Sequence, residues 1–155
     1  MKFMKKLVFP VLVCVAIFSA CKKDDDPVTT MYSKTGIIVN TSKEVPAVTT
    51  SNATGTMDVS YDKTTRLLTY KVSWNALSDS ITGSHIHGTA STVTNANVVV
   101  PFTVANKGAL TGNYAGTFTV DGIAIKEDSL LLGKYYLNIH TKKNPGGEIR
   151  GQIEF

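Results

Sequence analysis

Thiols are nearly absent from this chain. Its 155 residues include two cysteines, Cys14 and Cys21, and both precede the part that reads as folded. The remainder can hold no disulfide, no zinc–thiolate site and no cysteine nucleophile, so packing alone must stabilise it. Histidine is almost as scarce, at three residues. The formal charge of +4 falls to about +1 once Lys2, Lys5 and Lys6 are set aside as part of a leader. The other cationic residues are scattered, which excludes a nucleic-acid surface. No phosphate loop, dinucleotide fingerprint or calcium loop is present either.

What is present begins with that leader. Lys2, Lys5 and Lys6 precede an apolar run, Leu7 to Phe18, that is too short for an ordinary spanning helix. It ends in Ser19-Ala20-Cys21, which resembles a bacterial lipobox. The resemblance implies a signal peptide over 1–20, a diacylglycerol thioether on Cys21 and an acylated (palmitate-type) amino terminus. Several acyl chains give a stable membrane anchor where one would not. Residues 21–32 then form a tether. Its run Lys22-Lys23-Asp24-Asp25-Asp26-Pro27 is solvated in composition, and it resembles the export signal of surface lipoproteins in some Gram-negative lineages. The expectation is an outer-membrane lipoprotein facing the exterior, with the periplasmic face as the alternative.

Residues 33–155 read as one all-β domain. The expected strands are 35–40, 54–61, 66–74, 81–87, 97–104, 113–120, 134–141 and 148–155, rich in Val, Ile, Thr and Tyr. Asp62-Lys63-Thr64-Thr65 and Asn144-Pro145-Gly146-Gly147 read as turns. Leu68, Tyr70, Val72 and Trp74 alternate with polar residues, as on a half-buried strand. In the last strand Ile149, Gly151, Ile153 and Phe155 should face in, and Glu148, Arg150, Gln152 and Glu154 out. Lys126–Leu132, closed by Gly133, reads as a short helical turn. The pattern predicts a Greek-key β-sandwich or flattened barrel of about eight strands.

All three histidines fall in two of these strands, in Ser84-His85-Ile86-His87-Gly88 and Leu137-Asn138-Ile139-His140-Thr141. Alternation puts His85 and His87 on one face with Ile86 opposite, and His140 with Asn138 and Tyr136 opposite Ile139. If the isoleucines face the core, the imidazoles share the outer side. Two readings are open. The rings could hold copper or zinc, with Arg150 placing an anion above the metal or simply pairing with Glu148 or Asp79. Alternatively they hydrogen-bond loop backbone and fix one end of the sandwich. Ser84 and His85 point to opposite faces, so they form no triad. Tyr135, Tyr136 and Trp74 read as sheet packing.

Glu44-Val45-Pro46-Ala47-Val48, His85-Ile86-His87-Gly88, Val98-Val99-Val100-Pro101 and Leu137-Asn138-Ile139-His140-Thr141 occur in that order. With Asn144-Pro145-Gly146-Gly147-Glu148-Ile149-Arg150-Gly151-Gln152 they resemble the CHRD (chordin-type) domain. The resemblance implies an extracellular β-rich module, and the expectation for this chain is a non-catalytic binding or structural role. A looser similarity links His85, His87, His140 and Arg150 to the His-x-His, later His and arginine of copper/zinc superoxide dismutases. It implies a dismutase-like or immunoglobulin-like sandwich and, as a competing activity, a mononuclear copper redox enzyme. With no further histidine and no disulfide in the domain, the similarity stops at a single-metal site.

Overall fold

The computed structural model describes residues 29–155, so the leader, Cys21 and the charged run after it lie outside the described residues. The elements are β1 (Met31–Asn40), β2 (Thr54–Asp62), β3 (Leu67–Asn75), β4 (Ile81–Gly88), β5 (Val98–Pro101), β6 (Gly112–Thr119), α1 (Glu127–Leu131), β7 (Tyr135–Thr141) and β8 (Ile149–Ile153). They follow the expected order. β1 starts four residues earlier than expected, because Met31 pairs with Asp62 at the end of β2. β5 is shorter than expected and ends at Pro101, which has no N–H to extend the ladder.

Among the described residues the strands form one antiparallel sheet in the order β5-β4-β7-β8-β1-β2-β3-β6. The sheet curls into a half-barrel, and its two ends meet through side chains. Phe102, just after β5, packs on Tyr70 at 4.6 Å and Tyr114 at 5.7 Å between ring centroids. Ser84 and Tyr114 share a hydroxyl hydrogen bond of 2.5 Å across the same gap. β3 shows why the sequence folds this way. Leu68, Tyr70, Val72 and Trp74 are buried, while Thr69, Lys71 and Asn75 are exposed. The Asp62 carboxylate accepts the Thr64 N–H at 2.8 Å and shapes the turn between β2 and β3. α1 buries only Leu130, and Gly133 follows it at φ +64°.

Ile86 and Ile139 are both fully buried in the apolar core, as alternation requires. The last strand departs from expectation. Arg150 and Gln152, with Glu148 just before β8, do lie opposite Ile149 and Ile153. They are not solvated: Glu148 is 0% exposed, Arg150 1% and Gln152 7%. Loops fold over this face, and each buried polar group binds one of them. Glu148 accepts hydrogen bonds from Ser51 Oγ (2.6 Å), Ser78 N (2.7 Å), Ser78 Oγ (2.9 Å) and Thr141 Oγ1 (2.6 Å). Gln152 Nε2 donates to the Gly133 carbonyl at 2.7 Å and the Ala90 carbonyl at 3.2 Å. Unpaired, each such group would cost about 1–3 kcal/mol, so the loops are bound to the strand. Only Glu154 reaches solvent, where it pairs with Lys34 at 3.0 Å.

Replacing Ile139 by Ala should cost about 2–5 kcal/mol, as for other emptied core sites. His140→Ala in metal-free protein should cost about 0.5–1.5 kcal/mol, the worth of one hydrogen bond. Urea melts of the two variants should rank them in that order.

Candidate metal centre

The outer face of β4, β7 and β8 is a grid set by strand register. Gly83 pairs with His140, His85 with Asn138, and His87 with Tyr136 across β4 and β7. Asn138 pairs with Arg150 and Tyr136 with Gln152 across β7 and β8. Three imidazoles therefore stand around Asn138. Their ring centroids are 4.8 Å (His85–His140), 5.5 Å (His85–His87) and 5.8 Å (His87–His140) apart. One nitrogen from each ring lies within 4.8 Å of the others.

Gly83 makes the cluster possible. A Cβ there would stand 2.7 Å from His85 Cε1, so any side chain would push the ring away. Two rings are oriented by loop carbonyls: His87 Nδ1 lies 2.9 Å from Ala96 O, and His140 Nδ1 lies 2.9 Å from Pro145 O. A carbonyl only accepts, so both bonds put the proton on Nδ1 and leave Nε2 as a lone pair. Those two Nε2 atoms and His85 Nδ1 are buried without hydrogen-bond partners. Burial, followed by repulsion from His140 and His87, pushes the His85 pKa down to about 4. Burial also lowers His87. Near neutral pH these two rings are uncharged, the form that coordinates metals.

The four residues singled out from sequence converge only in part. His85, His87 and His140 come together. Arg150 neighbours them, but its donors point at the loop: Nη1 binds Asn95 Oδ1 at 3.2 Å, and Nη2 binds Ser91 O at 2.9 Å and Thr94 O at 3.0 Å. It pairs with neither Glu148, whose partners are hydroxyls and an amide, nor Asp79, which binds Ser80. Its guanidinium carbon lies 3.4 Å from the Tyr136 ring centroid, while that ring stacks on His87 at 4.8 Å with planes 5° apart. Tyr136 thus belongs to this face rather than to the apolar core. Ser84 is turned away from the rings and binds Tyr114 and the Asn138 carbonyl.

Two further residues of the site escaped sequence reasoning. Glu44 is 6% exposed, and its Oε1 has no partner. Burial lifts its carboxyl pKa to about 7, against the opposing pull of Arg150 and Asn138. It sits in the wall of a cleft of about 240 Å³ between residues 44–48 and the 143–147 turn, whose Pro145 carbonyl holds His140. Asn138 is 2% exposed, with Oδ1 unpartnered. Its position on the histidine face was readable from alternation. Glu44 lies in a connecting segment, where no periodicity marks a buried carboxyl.

The fold and this face define an all-β module with a loop-covered layer of polar side chains. The chain belongs to the CHRD domain family, whose model matches residues 36–153. No curated protein and no solved structure matches it.

Glu44 gives the site a measurable pH dependence. Its folded pKa lies above the unfolded 4.5, so its contribution to stability is fully present below about 4.5 and is lost as pH rises through about 7. Glu44→Gln should remove that loss. Urea midpoints from pH about 5 to about 9 should fall for wild type relative to Glu44→Gln between about pH 5 and 7 and level off above that.

Proposed function

We propose that this domain is a non-catalytic metal-binding module, holding one copper or zinc ion through His85, His87 and His140. The observation that carries this reading is the set of buried, partnerless ring nitrogens on three clustered imidazoles. A buried acceptor left unpaired is costly, and a cation shared by all three removes that cost at once. The carbonyl bonds at Nδ1 of His87 and His140 are the outer support that metal-ligating histidines use to fix tautomer and ring angle. Bonds of about 2.0–2.1 Å would draw the nitrogens, which lie within 4.8 Å of one another, to roughly 3.4 Å. Binding rather than turnover is favoured because Arg150, the group that would hold an anionic substrate, spends its donors on Ser91, Thr94 and Asn95. In this reading the leader and Cys21 support a lipid anchor in the outer membrane, and the charged run 22–26 supports display on its exterior face.

Titration of the purified domain should give uptake of about one ion per chain and a raised melting temperature. Each of His85→Ala, His87→Ala and His140→Ala should weaken binding sharply. Uptake of neither copper nor zinc at micromolar concentration would return the histidines to a purely structural role. Steady dismutation of superoxide by the copper form would instead establish the redox enzyme.

Cys21→Ser should release the protein from membranes, as fractionation would read. Neutral replacements at 22–26 should shield the intact lipoprotein from protease added to whole cells. Undiminished cleavage would remove the export-signal reading and leave the anchor.

A further inference from the structure

We propose that Asn138 supplies a fourth donor, its side-chain oxygen, to the ion held by the three histidines, making the centre a closed three-nitrogen, one-oxygen site. The inference rests on the metal reading above and goes beyond it in fixing the donor set.

Asn138 is the residue the histidines surround. It pairs with His85 across the ladder, precedes His140 by two on the same face, and lies diagonal to His87. It is 2% exposed, yet its Oδ1 has no hydrogen-bond partner. Buried amide oxygens normally find a donor, so this one needs an explanation.

The other end of the amide lies beside Gly147. Asn138 Nδ2 and Glu44 Oε1 crowd one point beside Gly147, lying 2.8 Å and 2.5 Å from where a Cβ on that glycine would stand. Gly147 has φ +125°, so the absence of a side chain serves both backbone and cradle there. Nδ2 thus lies on the Gly147 and Glu44 side of the amide, and the register keeps Asn138 on the face that carries the three imidazoles.

That face carries a second unpaired acceptor. The register sets Asn138 diagonal to His87 on this face, and His87 Nε2 and Asn138 Oδ1 are both buried without a hydrogen-bond partner. The Ala96 carbonyl holds the His87 proton on Nδ1, so Nε2 offers a lone pair, as Oδ1 does. Two such buried lone pairs on one face repel each other unless a cation stands between them. A metal ion there would satisfy both, together with the free nitrogens of His85 and His140.

The donor set has chemical consequences. Three imidazoles and an amide oxygen are all neutral and include no soft sulfur, a set that suits Zn(II) or Cu(II) better than Cu(I). Four protein donors also leave a tetrahedral ion no open position, the mark of a holding site rather than a reacting one.

The test compares wild type, Asn138→Ala and Asn138→Asp. Zinc affinity is measured against a chromophoric chelator, and Co(II) absorption and Cu(II) electron paramagnetic resonance report the donor set. Asn138→Ala should lose about 10–100-fold in zinc affinity and show changed Co(II) and Cu(II) spectra. Asn138→Asp, which keeps an oxygen at the same place, should restore four-donor spectra, and it covers the case in which the alanine variant fails to fold. If wild type binds zinc and Asn138→Ala or Asn138→Asp shows that Asn138 affects neither affinity nor spectra, the fourth-donor assignment is overturned while the three-histidine reading survives. If wild type binds no metal, both fall.

Discussion

Where the sheet is covered on both sides, at β4, β7 and β8, only one of its faces is apolar, and this constraint organises the site. Ile86, Ile139, Ile149 and Ile153 fill one side of β4, β7 and β8, while histidine, asparagine, arginine and glutamine occupy the other. Removing such groups from water is tolerable only if each finds a partner. Most do. The exceptions are three ring nitrogens, the amide oxygen of Asn138 and a carboxyl oxygen of Glu44, grouped around Asn138, together with the amide oxygen of Gln152 on β8. The candidate centre is thus located by what the hydrogen bonding of the fold leaves undone.

The covering loops are held by alternate residues from one strand. Glu148 draws in the segments around Ser51 and Ser78, Arg150 the segment from Ser91 to Asn95, and Gln152 the backbone at Ala90 and Gly133. These three side chains do for the polar face what aliphatic packing does for the other. They also explain why His87 is buried, since the loop Arg150 holds carries the Ala96 carbonyl that orients its ring.

Much of this was legible in the sequence, because strand period is a local property. The alternation in β3, the order of the strands, the inward isoleucines and the shared face of the histidines all follow from a period of two. The parity of Glu148, Arg150 and Gln152 was readable as well. Their environment was not. Whether an outward face meets water depends on loops that return from distant parts of the chain, and residues such as Thr, Asn and Val in those loops carry no periodic signal. Arg150 therefore read as an anion holder or the partner of Glu148 or Asp79, and Glu44 only as part of a motif. Asn138 was placed on the correct face, but its missing partner becomes visible only when every neighbour has been located in three dimensions.

The way Arg150 holds its loop bears on how freely that loop can change. Two of its three hydrogen bonds end on main-chain oxygens, those of Ser91 and Thr94, and only the third depends on a side chain, Asn95. A guanidinium that recognises peptide carbonyls is indifferent to the identity of the residues that carry them. At positions 92 and 93 the path of the loop is thereby separated from its composition, while the Thr94 hydroxyl, accepting the Ser91 N–H at 3.1 Å, helps shape the turn. Positions 92 and 93, the latter 74% exposed, can be substituted or enlarged while the backbone beneath keeps its course. The covering of the histidines is in this sense a surface open to sequence variation over a fixed foundation, and new recognition properties could arise on it without disturbing the layer below.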